Sequence, residues 1–589
     1  MRTPAPRTFE VGLVMAGAVS AGAYTAGVID FLLEALTGWE AAKTARQAGG
    51  PDVPDHAVKI RVAAGSSAGG LCSALLSMLP FTGHFPVNDL IAGGYLADPA
   101  NGNRNLLYDA WVRSIDITGL LGASDLGAGG GVPSLLDGNA VKRVADAAIA
   151  SVRGAIAGVR GAPLDVFANP LHVYLTVTNL RGVPYLVKMT TAGGVRGQRM
   201  VTHADYGRFA VFGTSGDPAE PLPRDAYAVN PGDGGAGVDG WDRLGQAALA
   251  TAAFPGGLPA RAFSNDRLVY ESRPWPQSQG AAGAPPPTVD PDLADEISRP
   301  YEFWTVDGGV LNNEPLEYAR IALSGAPDAA NPRDPKLADR AVLMIDPFPE
   351  DADRGVPPRG EQPGLLQNVF GLIPTWKDQA RFQPDQILKA LNENIYSRFL
   401  IAPLRDGKPD GQPDMASFGL AGFAGFLHRH LRMHDFQLGR RNAQKFLKDH
   451  FCIHVDNPIV KGWVARLRQT PGGLEAYQPT TADGSPDADF VQIVPLVPAL
   501  RRDEGLLPWP QLDAKRDVEP LKPQIRERVG KLTPVLVGDA LGSIGVADTF
   551  ISLILKSIVS GQVTEKLEDV AYDSIESYLR TAGLLQTGG

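Results

Sequence analysis

Short apolar runs alternate with stretches of helical periodicity through the first half of the chain. The predicted strands are Glu10–Gly17, Lys59–Gly65, His172–Leu180, Tyr301–Val306 and Ala341–Phe348. Two predicted helices, Ala21–Leu36 and Ala68–Leu79, directly follow the first two strands and carry apolar residues at helical spacing. Strands that alternate with helices predict an α/β fold, an open and mostly parallel sheet flanked by helices in three layers.

The pattern changes twice along the chain. Glycine- and proline-rich stretches near 98–137, 205–241 and 274–296 predict surface insertions in a first domain that spans 1–350. A proline-rich stretch at 351–366 predicts a linker. Beyond it, helical patterns over Gln386–Leu400, Gly419–Phe451 and Val546–Leu585 predict a mainly α-helical region that spans 367–589.

Composition narrows the class of protein. The chain has 589 residues with 44% apolar and 20% charged side chains, which is typical of a globular protein of two or three domains. The net charge of −10 argues against nucleic-acid binding. Two distant cysteines, Cys72 and Cys452, do not form a disulfide framework, which favours a reducing, cytoplasmic location.

One segment permits a second interpretation. Val11–Ile29 carries no charge and follows Arg2 and Arg7, so it could be a signal peptide or a membrane span. The run consists largely of glycine and alanine and is only mildly hydrophobic, and Glu10 stands at its start. A buried strand followed by a core helix explains these features better.

A serine between small residues lies at the second strand–helix junction. The stretch Gly65-Ser66-Ser67-Ala68-Gly69 fits Gly-x-Ser-x-Gly, a weak signal by itself in so glycine-rich a chain. Its position between a strand and a helix is that of a nucleophile elbow, with Ser67 at the centre and Gly65 and Gly69 as small neighbours.

The first strand–helix junction has almost the same pattern. It reads Ala18-Val19-Ser20-Ala21-Gly22, so it is a rival for the elbow. Two such junctions in succession suggest that one holds the nucleophile and the other supplies N–H donors to the oxyanion of acyl transfer.

A serine nucleophile also needs a base, and the histidines offer few candidates. His430 and His434 lie four apart on a predicted helix, but a zinc site would need further ligands, so no metal is predicted. His450 and His454 are the late histidines that a Ser–His–Asp hydrolase would require.

Three Asp-Gly pairs compete as the acidic alternative, at Asp137, Asp233 and Asp307. Asp307 follows a predicted strand and precedes a loop that enters a helix. Open α/β sheets place their active sites at the carboxyl ends of strands, which favours Asp307 with Gly308 and Gly309, although Asp-Gly pairs are also common in ordinary turns.

Together these residues resemble the patatin-like phospholipases. Four blocks occur in the order of that family: Leu13–Leu32, Gly65–Gly69, Ala248–Arg261 and Val306–Pro315. The resemblance implies a Ser–Asp dyad with Ser67 as nucleophile and Asp307 as general base, without a cofactor. It also implies that the first block is the oxyanion loop, with Gly17, Ala18, Val19 and Gly22 as its binding residues.

The chain departs from the family pattern in that loop. The family usually reads Gly-Gly-Gly-x-Arg/Lys-Gly, whereas the basic residue is replaced here by Ala21. Family members with long helical C-terminal extensions look similar, and Asp435–Leu447 resembles part of such an extension.

The predicted function is that of a serine acyl hydrolase of lipid esters, of phospholipase A or lysophospholipase type. A catalytically silent lipid- or protein-binding relative is the alternative, because the oxyanion loop is altered. The partner would be a lipid or another acyl ester. Peripheral membrane contact is a further alternative: Phe550–Gly561 is apolar but short and carries Lys556, which favours a core helix.

Overall fold

A large sheet forms the centre of the protein. The computed structural model describes residues 7–87, 94–96, 105–126, 132–158, 164–191, 194–232, 239–275, 290–292, 300–326, 329–348, 397–543 and 562–586. The strands are β1 (Thr8–Met15), β2 (Ala57–Gly65), β3 (Phe167–Thr191), β4 (Gly194–Val211), β5 (Tyr227–Val229), β6 (Arg261–Asn265), β7 (Asp290–Pro291), β8 (Tyr301–Asp307), β9 (Arg340–Ile345), β10 (Arg398–Ile401), β11 (Cys452–His454) and β12 (Phe490–Gln492).

Ten of these strands share one sheet. Seven of them follow the order β10-β9-β1-β2-β3-β4-β5, and β6, β7 and β8 pair beside this path. The five strands from β10 to β3 run parallel to their neighbours, and β4 returns antiparallel to β3. Strand β8 pairs antiparallel with both β3 and β6. Strands β11 and β12 form a separate antiparallel pair.

Helices cover the sheet and are the main regular structure of the described C-terminal part, where they alternate with long irregular stretches. Helix α1 spans Gly22–Gln47 and helix α2 spans Ser67–Thr82. The other α-helices are Leu106–Tyr108, Ile117–Leu120, Gly138–Ala157, Gly240–Thr251, Arg267–Ser272, Leu316–Ser324, Ala424–Leu427, Arg429–Asp449, Lys461–Leu467, Leu521–Ser543 and Gln562–Thr581.

The central strands are apolar because both of their faces are covered. Every residue of β1 and β9 is buried, as parallel strands between two helical layers require. The helical stretch Val19–Gln47 is long and apolar enough to cross a membrane by length and composition, but 94% of its most apolar window is buried inside the protein. In this structure it is a core helix.

The C-terminal part packs directly on α1. A Cβ on Gly27 would lie 1.9 Å from the carbonyl oxygen of Phe436, and one on Gly439 would lie 2.2 Å from that of Tyr24. Glycine at both positions therefore lets α1 and the helix Arg429–Asp449 approach closely. Arg440 of this helix is buried and pairs with the carboxylates of Asp30 and Glu34 on α1, and with that of Glu504.

The predicted strands and the first two helices are present, with shifted ends. Strand β3 is much longer than His172–Leu180 because it forms a hairpin with β4, which was not predicted. The helix predicted over Gln386–Leu400 is wrong at its end: β10 begins at Arg398 and extends the sheet beyond β9. Residues 386–396 lie outside the described residues.

The segments predicted as surface insertions also need correction. Leu107, Trp111 and Val112, within 98–137, are buried core residues. The segment 205–241 begins inside β4, contains β5 and ends in the helix Gly240–Thr251. Most of 274–296, the linker 351–366 and Phe550–Gly561 lie outside the described residues, so the domain boundaries remain predictions.

Candidate active site

The two glycine-rich loops meet at the carboxyl ends of β1 and β2. Met15, at the end of β1, pairs with Gly65, at the end of β2. The N–H of Ser66 donates to the carbonyl oxygen of Met15 at 3.3 Å, and a Cβ on Gly69 would lie only 2.0 Å from the same oxygen. The close approach of the loops explains why Gly69 must be glycine.

Ser67 occupies the strained position of the second loop. Its φ is +50°, in the left-handed region that side chains rarely adopt, whereas Ser66 is extended with φ −125°. Ser67 is also the first residue of α2, and its N–H donates to Thr251 Oγ1 at 2.9 Å. This strand–turn–helix conformation is that of a nucleophile elbow.

Asp307 ends β8, and β3 connects it to the elbow. Leu175 of β3 pairs with Gly65, and Val177, two residues further on, pairs with Asp307. The Asp307 side chain is 3% exposed, and its Oδ1 accepts the N–H of Gly309 at 2.7 Å. One central strand therefore brings the carboxylate and the serine loop to the same edge of the sheet.

A second connection runs through the third sequence block. The hydroxyl of Thr251 binds the N–H of Ser67, and the carbonyl oxygen of Ala253 accepts the N–H of Asp307 at 2.8 Å. Because Thr251 and Ala253 are two residues apart, one short segment holds both candidate residues. Thr251 lies in the third sequence block, but the sequence pattern alone gives it no role.

Glycine is required on the side of the first loop that faces Ser67. A Cβ on Gly17 would lie 2.9 Å from Ser67 Cβ and 2.5 Å from Asn313 Oδ1. The Nδ2 group of Asn313 donates to Glu314 Oε1 at 2.6 Å and lies 3.5 Å from the carbonyl oxygen of Gly17. Asn313 therefore holds the first loop against the segment that follows Asp307.

Gly309 must also be glycine, because the segment that follows Asp307 packs tightly against Asn313 and the serine loop. A Cβ there would lie 2.5 Å from Asn313 Oδ1, 3.1 Å from Asp307 Oδ1 and 3.3 Å from Ser66 Oγ. The first block, the serine loop and the Asp-Gly-Gly segment therefore converge on one small buried space. Gly308 packs equally closely, because its Cβ would lie 2.2 Å from the carbonyl oxygen of Thr176.

The four residues that the resemblance assigns to oxyanion binding differ in the hydrogen bonds of their backbone N–H groups. Among the described residues, the N–H groups of Gly17, Ala18 and Val19 have no hydrogen-bond acceptor. The N–H of Gly22, by contrast, donates back to Val19 and Ser20 carbonyl oxygens within the turn.

Gly22 therefore needs a different explanation from the one that the resemblance implied. A Cβ there would lie 2.3 Å from the ring of Trp111. The role of Gly22 in this structure is to let Trp111 pack against the start of α1, not to supply a donor.

An apolar cavity opens beside Ser67. Ser67 supplies the one hydroxyl and Trp111 an indole N–H, and the other described residues that line the cavity are apolar: Val19, Ala68, Leu71, Ile115, Leu120, Leu136, Val141, Ala252, Phe254, Leu258, Phe423 and Phe426. Four of these, Leu71, Trp111, Ile115 and Val141, also line a second apolar cavity that continues along α2 to Met78. The two cavities together follow α2 away from Ser67.

Sequence reasoning missed several of these lining residues. Trp111 lies in a segment predicted to be a surface insertion, and Phe423 and Phe426 lie in the C-terminal region, to which no role was given. The repeated spacing of glycine and phenylalanine in Phe418–Leu427 is a signal that could have drawn attention to it.

The histidine candidates lie elsewhere in the described structure. His434 is buried and its Nδ1 bonds to Asp435, while His430 stacks on Tyr95. His450 ends the helix Arg429–Asp449, and His454 lies in the separate β11–β12 pair. Among the described residues, no group of three or more His, Cys, Asp or Glu side chains is arranged to hold a metal ion.

The described residues form an α/β fold with a serine at a strained strand–helix turn and a carboxylate at the end of a strand in the same sheet. The family model described as patatin-like phospholipase matches residues 13–320, and the chain belongs to this family. The family membership and fold class predicted from the sequence are thereby confirmed.

One curated relative resembles the chain far beyond this domain. It is described as uncharacterized protein y4iI of Sinorhizobium fredii (strain NBRC 101917 / NGR234) and is 34% identical over 542 residues, which cover 86% of this chain and 73% of the relative. A match of this length includes much of the C-terminal region.

Proposed function

We propose that the protein is a serine acyl hydrolase of lipid esters, of phospholipase A or lysophospholipase type. Members of the patatin-like phospholipase family are generally lipid acyl hydrolases, which gives the class of reaction. The observation that carries the proposal for this chain is the position of Ser67. It occupies a strained turn at an apolar cavity, and one short segment bonds both to it and to Asp307.

The reaction proceeds in two steps. Ser67 Oγ attacks the carbonyl carbon of the ester while the Asp307 carboxylate accepts the hydroxyl proton. The C–O bond of the tetrahedral intermediate then breaks, the alcohol or lysolipid leaves with that proton, and Ser67 carries the acyl group. Water attacks the acyl-enzyme, its proton passes to Asp307 and then to Ser67, and the fatty acid leaves.

Backbone N–H groups stabilise the oxyanion. Ala68 follows Ser67 at the start of α2, where helix N–H groups point outward and the helix dipole favours negative charge. Gly17, Ala18 and Val19 face the same loop and supply the second donor. The family's basic residue is replaced by Ala21, so this site depends on backbone dipoles alone.

The apolar cavity supplies the binding energy for the acyl chain. Its lining from Leu71 to Met78 on α2 removes the chain from water, and each buried CH₂ contributes about 0.8 kcal/mol. The proposed residues require no cofactor. The two free cysteines are consistent with a reducing, cytoplasmic location, and a lipid substrate would require peripheral contact with a membrane surface.

The test combines labelling with hydrolysis. A fluorophosphonate probe should label wild-type protein at Ser67, and both labelling and hydrolysis of p-nitrophenyl butyrate should disappear in Ser67→Ala. Ser77→Ala is the matched control, because Ser77 lies on the same helix and bonds only to the carbonyl of Ala74. A folded wild-type protein that neither reacts with the probe nor hydrolyses phospholipid would instead be the silent, lipid-binding relative.

A further inference from the structure

The C-terminal region reaches into the cavity beside Ser67. We define the C-terminal wall as residues 420–427, which comprise the short turn Leu420–Gly422, Phe423 and the helix Ala424–Leu427. Phe423 and Phe426 of this wall line the cavity, and the ring of Phe423 packs edge-on against Phe254 at 5.6 Å and against Phe426 at 6.0 Å. The family domain, which ends at residue 320, does not contain these two rings.

Ser20 fixes the wall to the first loop. Its hydroxyl donates to the carbonyl oxygen of Gly422 and accepts the N–H of Gly425 at 3.0 Å. A Cβ on Gly425 would lie 2.6 Å from Ser20 Oγ, so glycine is required there. All these atoms are buried, and a buried polar group without its partner is costly, which makes the contact a specific one.

Arg432 fixes the wall from the other side. Its guanidinium donates to the carbonyl oxygens of Gly425 at 2.7 Å and Phe426 at 3.3 Å, and to that of Val112 at 3.0 Å. Val112 is next to Trp111, which lines both apolar cavities. One buried cation therefore positions Phe426 and Trp111 relative to each other. Burial lowers the pKa of Arg432 to about 10.

The wall also explains the departure of the first loop from the family pattern. Ala21 stands where the family has a basic residue, and it is completely buried. A lysine or arginine there would place a charge in the apolar interior beside the wall. Ser20 instead uses its hydroxyl to bind Gly422 and Gly425. The small, uncharged residue at Ala21 is therefore compatible with this packing.

We propose that the C-terminal wall completes the acyl-binding site, with Phe423 and Phe426 as the residues that contact the acyl chain and set the preference for its length. This inference rests on the proposed hydrolysis at Ser67, because the occupant of the cavity is the acyl chain of the substrate. The cavity favours an apolar chain over a charged or strongly polar occupant, since its described lining is apolar apart from the hydroxyl of Ser67 and the indole N–H of Trp111. The wall is a fixed part of the pocket, held by Ser20 and Arg432.

The experiment compares esters of increasing acyl length. The quantity to be measured is kcat/KM of wild type, Phe423→Ala and Phe426→Ala for p-nitrophenyl acetate, butyrate, octanoate and decanoate. The truncations should lower kcat/KM for octanoate and decanoate about tenfold and leave acetate within about twofold, because acetate has no chain to contact the rings. Phe418→Ala is the matched control: Phe418 lies just before the wall, packs on Phe348 and lines a different cavity.

A second readout separates this inference from the proposed function. Decanoate binding is measured by calorimetry in Ser67→Ala, alone and combined with Phe423→Ala or Phe426→Ala. Weakened binding in the combined variants, with no turnover by wild type, would support the wall and overturn the hydrolase. Turnover with an unchanged length profile and unchanged decanoate binding would support the hydrolase and overturn the wall. Phe426→Leu replaces Phe426→Ala if the alanine variant does not fold.

Discussion

Two nearly identical serine loops at neighbouring strands have different tasks in this protein. Both lie between a parallel strand and a buried helix, and both contain one residue other than glycine in the left-handed region. In the second loop that residue is the serine itself, Ser67. In the first it is Val19, the residue before Ser20, with φ +48°. The left-handed residue therefore lies one position earlier in the first loop than in the second. This difference determines which residue of each loop faces the cavity.

The consequence of that shift is visible in the hydrogen bonds. The left-handed conformation of Val19 brings Val19 itself to the cavity, and the hydroxyl of Ser20 bonds to Gly422 and Gly425 of the C-terminal wall. In the second loop Ser67 faces the cavity, with Ala68 following it at the helix start. The local pattern Val/Ser-Ser-Ala-Gly is thus shared by a structural serine and a candidate nucleophile.

The largest expected effect is a difference in kcat/KM between substitutions of the two serines. Ser67→Ala should lower kcat/KM for p-nitrophenyl butyrate roughly a thousandfold or more, because the nucleophile is removed. Ser20→Ala should lose far less, at most about the tenfold expected from a loosened wall, since its hydroxyl contacts the wall and not the reacting atoms. Steady-state hydrolysis with both variants checks the comparison. Equal losses in the two variants would show that the left-handed residue does not identify the nucleophile.

Removal of the base should have the next largest effect. Asp307→Asn keeps the shape of the side chain but cannot accept the serine proton, so kcat should fall by about 10²–10⁴. Labelling at Ser67 by the fluorophosphonate should slow as well, because the probe also needs a deprotonated hydroxyl. The measurement is the second-order labelling rate at pH 7. A wild-type rate in Asp307→Asn would exclude Asp307 as the base.

The two serine substitutions should affect the free energy of unfolding in the opposite order, with Ser20→Ala the more destabilising. Ser20→Ala leaves the carbonyl of Gly422 and the N–H of Gly425 buried without this partner, which should lower the free energy of unfolding by about 2–4 kcal/mol. Within the described parts of the chain the Ser67 hydroxyl makes no hydrogen bond that holds the core, so Ser67→Ala should change the free energy of unfolding by less than about 1 kcal/mol. Urea denaturation of the two variants tests this, and similar losses would mean that Ser20 does not fasten the wall.

The sequence indicated the loops at the carboxyl edge of the sheet better than it indicated the residues that line the cavity. Strand ends and small loop residues are local features, so Ser67, Asp307 and the glycines around them could be identified from short patterns. Whether Trp111, Phe423 and Phe426 line the cavity depends on how distant segments pack. The glycine–phenylalanine spacing of Phe418–Leu427 marks an unusual segment but does not indicate what it contacts. The edge strand β10 was missed for the same reason, because its partner β9 lies far from it along the chain.

The smallest expected effect is a pH dependence of the contact between α1 and the C-terminal region. His56 lies between Trp39 of α1 and Trp463, with ring centroids at 4.7 and 5.8 Å. Its Nδ1 accepts the indole N–H of Trp463 at 3.0 Å, and its Nε2 therefore donates to the carbonyl oxygen of Ile493 at 2.8 Å. This arrangement requires the neutral imidazole.

Burial lowers the pKa of His56 from 6.5 to about 3, with the charges of Lys43 and Arg7 acting in the same direction and that of Asp55 opposing them. The unfolded chain therefore binds a proton below pH 6.5 that the folded chain does not. The stability that His56 contributes is complete above pH 6.5 and is lost as the pH falls towards 3, by at most about 2 kcal/mol at pH 5.

Urea denaturation at pH 7 and pH 5, followed by tryptophan fluorescence, measures the loss. His56→Gln, which does not titrate, should be less stable at pH 7 but should lose that part of the pH dependence. Such a result would show that acid acts on the attachment of the first serine loop and its helix to the C-terminal region, while the second loop depends on no comparable histidine contact among the described residues. An equal slope in wild type and His56→Gln would place the acid sensitivity elsewhere.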